Sequence, residues 1–541
     1  MREFLSILAV GAVMALAWAL WRLVAWLREP APTESNVVGG RRLLTEQQAR
    51  ALAERDAGAG GDPRRYEWGS VSVSPKAALT HFFAVGTSGS GKTIVLRKLL
   101  RSVVHQLGRD ERCVIFDIKG DYWEFLQQHC SSPMFDPARD VMRLHPFVEG
   151  TPAWDIARDA SPTNAPSVCA GLLPLGSDKD SSHFVNATRQ MMTLVMDAFR
   201  ALGGDWSLWD LVVACNSAKN LRELARASGL TEIIDRLSDR NPETGSVVGS
   251  LSTATDCLRA PAAIWNTAHV EGQKFSIAEW MEGRGPRVLV IGFDTSKRAS
   301  MERVTQMLMS RIISQLLSLK SKGLEDAPRT WLFLDELPFA GRIEELLNCL
   351  NAGRSQGIAA VLGTQTMLTL QLPSHYPHGE AAAIVANARN RAYLRPGDDD
   401  TAQWIGKQIG KQLLYETGYS SGQTHDSRGG NSSQAGEDHR IQERFAVNPD
   451  ELKDLPLPQA DVPMTGVFEI DQGVWIYTMP PSEFPDRPEP RDSRTVPEDA
   501  VPPSIKWTPE DRMRLRLPPE RSKPEPDSEV VASDSDHVEL E

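Results

Sequence analysis

The pattern of apolar and polar positions opens on a run unlike anything else in the chain. Phe4 to Trp21 carries no charge, and after Arg22 the apolar character resumes as far as Leu27. That stretch of about 24 residues, at ~1.5 Å per residue, is long enough to span a bilayer if Arg22 snorkels toward the head groups. Trp18, Trp21 and Trp26 stand where an interfacial aromatic belt belongs, and Arg28, Arg41 and Arg42 follow on the side expected to face the cytoplasm. Residues 1–30 are therefore expected to form one N-terminal transmembrane helix. Ala15-Leu16-Ala17 resembles a signal-peptide cleavage site, but cleavage would export a protein whose chemistry, developed below, needs an intracellular cosubstrate.

Beyond a Pro-, Gly- and Ala-rich linker (31–65) with one short helical piece, Thr45–Arg55, the pattern becomes that of a folded domain. Phe82–Val85 reads as a buried strand. Ile94, Val95, Leu99 and Val103 recur at helical spacing, and Cys113–Phe116 reads as a second strand ending at Asp117. Between about 148 and 283 helical patterns take over. Phe184, Ala187, Met191, Met192, Val195 and Phe199 share one face, and Ser207 to Asp210 forms a capping box. This stretch is expected to be an all-α insertion.

Strands return as Val288–Ile291, Trp331–Leu334, Ala359–Leu362 and Arg391–Leu394, with helical segments between them. Such alternation predicts an α/β fold whose parallel sheet is covered on both faces. Residues 417–437, rich in Gly and Ser, read as a mobile loop, and Val467–Ile470 with Val474–Tyr477 as a terminal hairpin. From 481 to 541 proline and charge dominate, which predicts a disordered acidic tail. The expected domains are thus the anchor, the linker, a nucleotide-binding domain in two parts (66–147 and 284–480), the helical insertion (148–283) and the tail.

Composition narrows the function classes. A net charge of −12 over 541 residues excludes a general coat of basic surface, so any nucleic-acid contact must be local. The six cysteines are scattered without a CxxC pair, and the histidines show no HExxH spacing. A zinc ribbon or disulfide framework is excluded, and a reducing compartment is expected.

The chemistry is concentrated in Gly86-Thr87-Ser88-Gly89-Ser90-Gly91-Lys92-Thr93, a complete GxxxxGK[ST] between a buried strand and an amphipathic helix. In such a loop the glycines let successive N–H groups face phosphates, and the helix adds its positive end. Lys92 neutralises the β- and γ-phosphates, and the Thr93 hydroxyl ligates Mg²⁺. The strand Trp331–Leu334 ends in Asp335 and Glu336, expected to hold the Mg²⁺ and to polarise the attacking water, respectively. ATP and Mg²⁺ are the expected cofactors. Gln365, after the strand Ala359–Gly363, is placed to read the γ-phosphate. Arg354 is a candidate arginine finger reaching a neighbouring subunit, with Arg389, Arg391 and Arg395 as competitors.

These stretches together resemble the type IV secretion coupling proteins of conjugation, in the TraD/TrwB-like branch. The resemblance covers most of residues 66–480. It rests on Trp68-Gly69, HFF with GTSGSGKT, FDIKGDYWEFL (Phe116–Leu126), AWDIARD (Ala153–Asp159), HFVNATRQMM (His183–Met192), FLDELP (Phe333–Pro338), NAGRSQGIAAVLGTQT (Asn351–Thr366) and DDDTAQWIGKQIG (Asp398–Gly410). It implies a RecA-like motor, a homo-hexamer around a central channel at the bacterial inner membrane. It also implies DNA, a relaxase and secretion-channel proteins as partners. Many relatives carry two membrane helices where this chain shows one. A pump of the FtsK/HerA kind and a nucleotide-binding docking receptor for protein substrates are the alternatives. DNA-stimulated ATP hydrolysis separates the motor from the receptor.

Overall fold

The computed structural model describes residues 37–520 except 59–61, 175–178, 238–243, 319–327, 426–430, 472, 492 and 498–499. The Phe4–Leu27 run and the acidic residues after 520 lie outside the described residues. Among the described residues no helix is long and apolar enough to cross a membrane.

Ten strands form the main sheet: β1 (Leu43–Leu44), β2 (Phe82–Val85), β3 (Arg112–Asp117), β4 (Val141–Leu144), β5 (Val288–Gly292), β6 (Thr330–Leu334), β7 (Ile358–Thr364), β8 (Asn390–Tyr393), β9 (Met464–Ile470) and β10 (Gly473–Met479). Their order across the sheet is β1-β10-β9-β8-β2-β7-β6-β3-β5-β4. From β8 to β4 all pairings are parallel, and β9 joins antiparallel as part of the hairpin expected near the C-terminus. The central strands β2, β3, β5, β6 and β7 are buried at every position, which is why they read as unbroken apolar runs.

The helices that matter below are α1 (Lys92–Val104), α2 (Asp121–His129), α3 (Ala165–Leu172), α4 (Lys179–Leu202), α5 (Leu208–Cys215), α6 (Ala218–Ser228), α7 (Arg259–Val270), α8 (Arg298–Ser318) and α9 (Pro509–Leu515). Helices α3 to α7 lie between β4 and β5 and, with Ile156–Asp159, Thr231–Arg236, Thr244–Asp256 and Ile277–Met281, make up the insertion. The Ser207–Asp210 capping box is present, with both reciprocal hydrogen bonds. The insertion is not wholly helical, because Ala153–Trp154 and Lys274–Phe275 pair in parallel at its neck. Asp159 closes that neck: its carboxylate accepts from Trp154 Nε1 at 2.7 Å, Ser276 Oγ at 2.8 Å and the backbone N–H of Ile277 at 2.8 Å. Helix α3 then crosses α8 backbone to backbone. A Cβ on Gly171 would lie 2.6 Å from the Gln306 carbonyl oxygen.

Besides the expected linker, which gives β1 and the helix Glu46–Gly58 to the fold, two regions differ from expectation. The described residues of the Gly/Ser-rich stretch 417–437 are strand rather than loop. They belong to a long antiparallel ribbon, Lys411–His425 against Asn431–Phe445, paired from Lys411↔Phe445 to His425↔Asn431. Val37–Gly40 pairs with the outer edge of its first strand, Val37 opposite Leu414. A ribbon needs no apolar face to satisfy its backbone, because each N–H finds a carbonyl across the pair. Polar composition therefore hid it.

The second difference is the segment after 480, whose described residues, as far as 520, pack on the rest of the fold. Trp507, Leu515 and Leu517 are buried, and α9 begins with a capping box between Thr508 and Asp511. A few apolar anchors and paired charges hold a stretch whose average composition reads as disordered.

Candidate functional site

The site sits at the ends of the strands where register brings four loops level. Leu334 of β6 faces Phe116 of β3 on one side and Leu362 of β7 on the other, so Asp335 stands beside Asp117 and Gly363. On the far side of β7, Thr364 pairs with Val85 of β2, placing Gln365 beside Gly86. Parallel strands alone thus converge the phosphate loop, the acid pair and Gln365 on one rim.

The loop itself is shaped by its glycines. Gly89 and Gly91 adopt φ of 78° and 98°, a region open to glycine at no steric cost. A Cβ on Gly91 would also strike Met464 Cγ at 2.6 Å, so the helix can start here only on a glycine. The loop is anchored by Thr87 N–H donating to the Arg395 carbonyl at 2.8 Å and Ser90 N–H to the Thr87 carbonyl at 3.1 Å. Ser88 and Gly89 lie exposed at the tip, Ser90 and Gly91 are buried, and Thr93 is half-buried one residue into α1.

Lys92 is the pivot. Its Nζ lies 2.7 Å from Glu336 Oε2 and 3.0 Å from Asp335 Oδ1, with about 8% of the side chain exposed. Burial would lower its pKa, but the two carboxylates outweigh that and hold it above its ordinary value. The ammonium is therefore charged at neutral pH. Glu336 occupies the left-handed region at φ 78°, a conformation that costs a non-glycine residue about 1–3 kcal/mol. Its other oxygen, Oε1, accepts from the Gln365 backbone N–H at 3.0 Å. The acid pair and Gln365 are thus one hydrogen-bonded group.

Three further residues shape the site without being singled out in the sequence for a role there. The Tyr122 hydroxyl donates to Asp335 Oδ2 at 2.8 Å and fixes that carboxylate. Asp117 is buried, accepts from Trp123 N–H at 2.8 Å, and has its pKa pushed up to about 6 by burial. Gly363 lets β7 approach the acid pair, since a Cβ there would lie 2.7 Å from Asp335 Oδ1. Tyr122 and Asp117 lie in FDIKGDYWEFL. Gly363 carried the one signal available, a glycine at the end of an otherwise apolar strand.

Arg354 lies elsewhere. It precedes β7, at the opposite end of the strands from the phosphate loop, and its side chain is exposed beside Lys76, Thr80 and Arg389. It cannot contribute to the site of its own subunit. Of its competitors, Arg391 is bound to Glu469 at 3.4 Å and to the Ala388 carbonyl, Arg395 donates to the Leu455 carbonyl, and Arg389 lies 3.7 Å from Asp471.

The loop, the acid pair and Gln365 line a cavity of about 840 Å³, large enough for a nucleotide. Among the described residues no cluster of three or more His, Cys, Asp or Glu could hold a metal ion. That suits Mg²⁺ well, because Mg²⁺ takes one or two protein oxygens and completes its shell with phosphates and water. Thr93 and Asp335 are the residues that fit it. Asp335 Oδ1 is buried and accepts no hydrogen bond, although the Lys92 charge lies beside it.

A glycine-shaped phosphate loop, an invading lysine and a strand-end acid pair define a P-loop nucleotide-binding protein. The type IV secretion-system coupling protein DNA-binding domain family matches residues 65–472, and the chain belongs to that family. It is 24% identical over 422 residues to the coupling protein TraD of Escherichia coli (strain K12), an alignment covering 75% of this chain and 54% of TraD. The chain thus spans about half the length of that relative. Solved structures of the bacterial conjugative coupling protein TrwB share the fold. The unbound TrwBdeltaN70 form matches with a TM-score of 0.61 at 18% identity, over 82% of this chain and 93% of that one. TrwB with ADP and Mg²⁺ gives 0.60 at 18%, over 85% and 95%, and TrwB with the non-hydrolysable analogue ADPNP gives 0.60 at 19%, over 82% and 94%.

Proposed function

We propose that this chain is an ATP-hydrolysing motor that couples a relaxase-bound DNA strand to a type IV secretion channel and drives single-stranded DNA through it during conjugation. The observation that carries the reading is the contact of Lys92 with both Asp335 and Glu336. In this arrangement the lysine is shared between the two carboxylates. A triphosphate entering the loop competes for the ammonium, draws Lys92 onto its β- and γ-oxygens and frees both carboxylates. Mg²⁺ held by Thr93 and Asp335 would neutralise charge on the transferring phosphate when bound. Glu336 then orients and polarises water, with the Gln365 N–H holding its second oxygen in place.

The ring arrangement, a homo-hexamer, rests on the family resemblance, and Arg354, exposed at the opposite end of the sheet, is the arginine that would act on a neighbouring subunit's site. The Phe4–Leu27 run supports a single-pass anchor in a bacterial inner membrane, with the motor on the cytoplasmic side. DNA would contact a local basic lining through its phosphates, so binding should weaken steeply with salt. The ADP–Mg²⁺ and ADPNP complexes of TrwB support ATP and Mg²⁺ as the ligands of this site.

The test is ATP hydrolysis by the full-length protein with and without single-stranded DNA. The motor reading expects stimulation by DNA and its loss in Lys92→Ala. Trace hydrolysis indifferent to DNA would instead identify a nucleotide-binding receptor.

A further inference from the structure

The folded segment after β10 crosses the mouth of the nucleotide cavity before it reaches the helical insertion. It is pinned first beside α1, where Glu483 accepts from Lys98 at 3.1 Å and from the Tyr477 hydroxyl at 2.9 Å. On α2, Gln128 exchanges two hydrogen bonds with the backbone of Glu489, at 2.8 and 2.9 Å. The chain then meets the loop after β4. Arg143 donates to Ser493 Oγ at 3.0 Å, Glu149 N–H to the Arg494 carbonyl at 3.0 Å, and Val496 N–H to the Phe147 carbonyl at 3.1 Å. Farther on, Arg259 of α7 holds the carbonyls of Pro502 and Pro503, and α9 docks on the insertion through Arg512–Glu223 and Arg514–Asp210.

Between the pins at Glu483 and Glu489, Arg487 lines the same cavity as Lys92, Asp335 and Gln365. Its side chain is exposed and has no hydrogen bond or ion pair with any described residue. Of the other cations of the cavity, Lys119 is also exposed and unpaired among the described residues but sits in the loop before α2 rather than on the strap, and three are committed. Lys92 is held by the acid pair, Arg97 lies 3.5 Å from Asp121 and stacks on Phe125, and Arg143 binds Ser493 and stacks on Trp123. A planar guanidinium with free donors, held on a strap at both ends, is suited to bidentate capture of phosphate oxygens.

We propose that Arg487 is a nucleotide-binding residue supplied by the C-terminal strap, closing on the phosphates of a nucleotide seated in the Gly86–Thr93 loop. The strap thereby conveys occupancy of the site to the helical insertion, on which its far end is docked. This rests on the nucleotide reading of the site given above.

The experiment measures equilibrium binding of a fluorescent ATP analogue with Mg²⁺ to the full-length protein. It is combined with limited trypsin cleavage at Arg512, Arg514 and Arg516 in the presence and absence of nucleotide. In the native protein nucleotide should slow cleavage at those sites. Arg487→Ala should weaken binding roughly five- to twenty-fold and abolish that protection, with Arg487→Lys intermediate and the melting temperature of the nucleotide-free protein unchanged. Arg487→Ala binding within about twofold of the native protein, while Lys92→Ala fails to bind, would overturn the proposal and leave the site reading intact. Absence of binding by the native protein would overturn the site reading, and the proposal with it.

Discussion

At the scale of single residues, the chemistry turns on which partner holds the Lys92 ammonium. Because Glu336 accepts from Lys92 on one oxygen and from the Gln365 N–H on the other, its amide counterpart keeps the size of the side chain and the acceptor toward Gln365, and loses the charge and the acceptor toward Lys92. Glu336→Gln is therefore expected to bind ATP as the native protein does, while hydrolysis falls by roughly 10²–10³-fold. Single-turnover kinetics beside a binding isotherm separate the two. The left-handed Glu336 backbone fits a carboxylate held in place for use, and no sequence pattern could have disclosed it. The phosphate loop and the acid pair were fully legible, because each is contiguous in the chain. Tyr122, which fixes Asp335 from 213 positions away, was not.

A second prediction belongs to this scale and concerns stability. His81 is buried, accepts from the Ala360 N–H on Nδ1 at 3.1 Å, and lies with Nε2 3.0 Å from the Leu350 carbonyl. That arrangement fixes the neutral form, and burial lowers its pKa from 6.5 to about 4. Below about pH 6.5 the unfolded chain takes up this proton while the folded one resists until about pH 4, so unfolding becomes easier as pH falls through that window. The cost for one such histidine approaches about 3 kcal/mol at the acid end. Thermal melts at pH 7 and pH 5 should show the loss, to which buried His145, also lowered to about 4, contributes, and His81→Asn should reduce it.

At the scale of elements, register does the positioning. Four strand ends come level because β2, β7, β6 and β3 run parallel with their C-terminal ends in register, and the alternation of apolar runs in the sequence already pointed to parallel strands. The pattern could not say how closely β7 approaches the acid pair, since that depends on a hydrogen atom at Gly363 in place of a methyl group. Gly363→Ala should displace Asp335 and cut Mg²⁺-dependent hydrolysis at least about tenfold, while the rest of β7 stays in place. Hydrolysis assayed against Mg²⁺ concentration would show it as a shift in the metal requirement. The Lys411–Phe445 ribbon marks the opposite failing. Its polar sequence carries no alternation because neither face needs a core, and only pairing across 15 registered positions reveals it.

At the scale of the molecule, the strap shows what average composition conceals. Its prolines and charges read as disorder, yet Arg514 reaches Asp210, which has no exposed side-chain surface and also accepts from Ser207. Burial raises the Asp210 pKa against the opposing pull of the guanidinium. Arg514→Ala would leave that charge buried without its partner and should destabilise the insertion by about 3–5 kcal/mol. Pairing it with Asp210→Asn should restore much of the loss. Chemical denaturation of the two variants measures the difference.

The helical insertion is continuous with one face of the sheet. Phe83, Val85 and Leu334 from the strands share an uninterrupted apolar body with Met192, Trp209 and Leu211 from the insertion. The neck at Asp159 and the backbone crossing of α3 over α8 lie within the same body. The insertion is therefore expected to unfold together with the sheet in a single thermal transition. A load applied to it would pass through these packed side chains to the strand ends beside the phosphate loop.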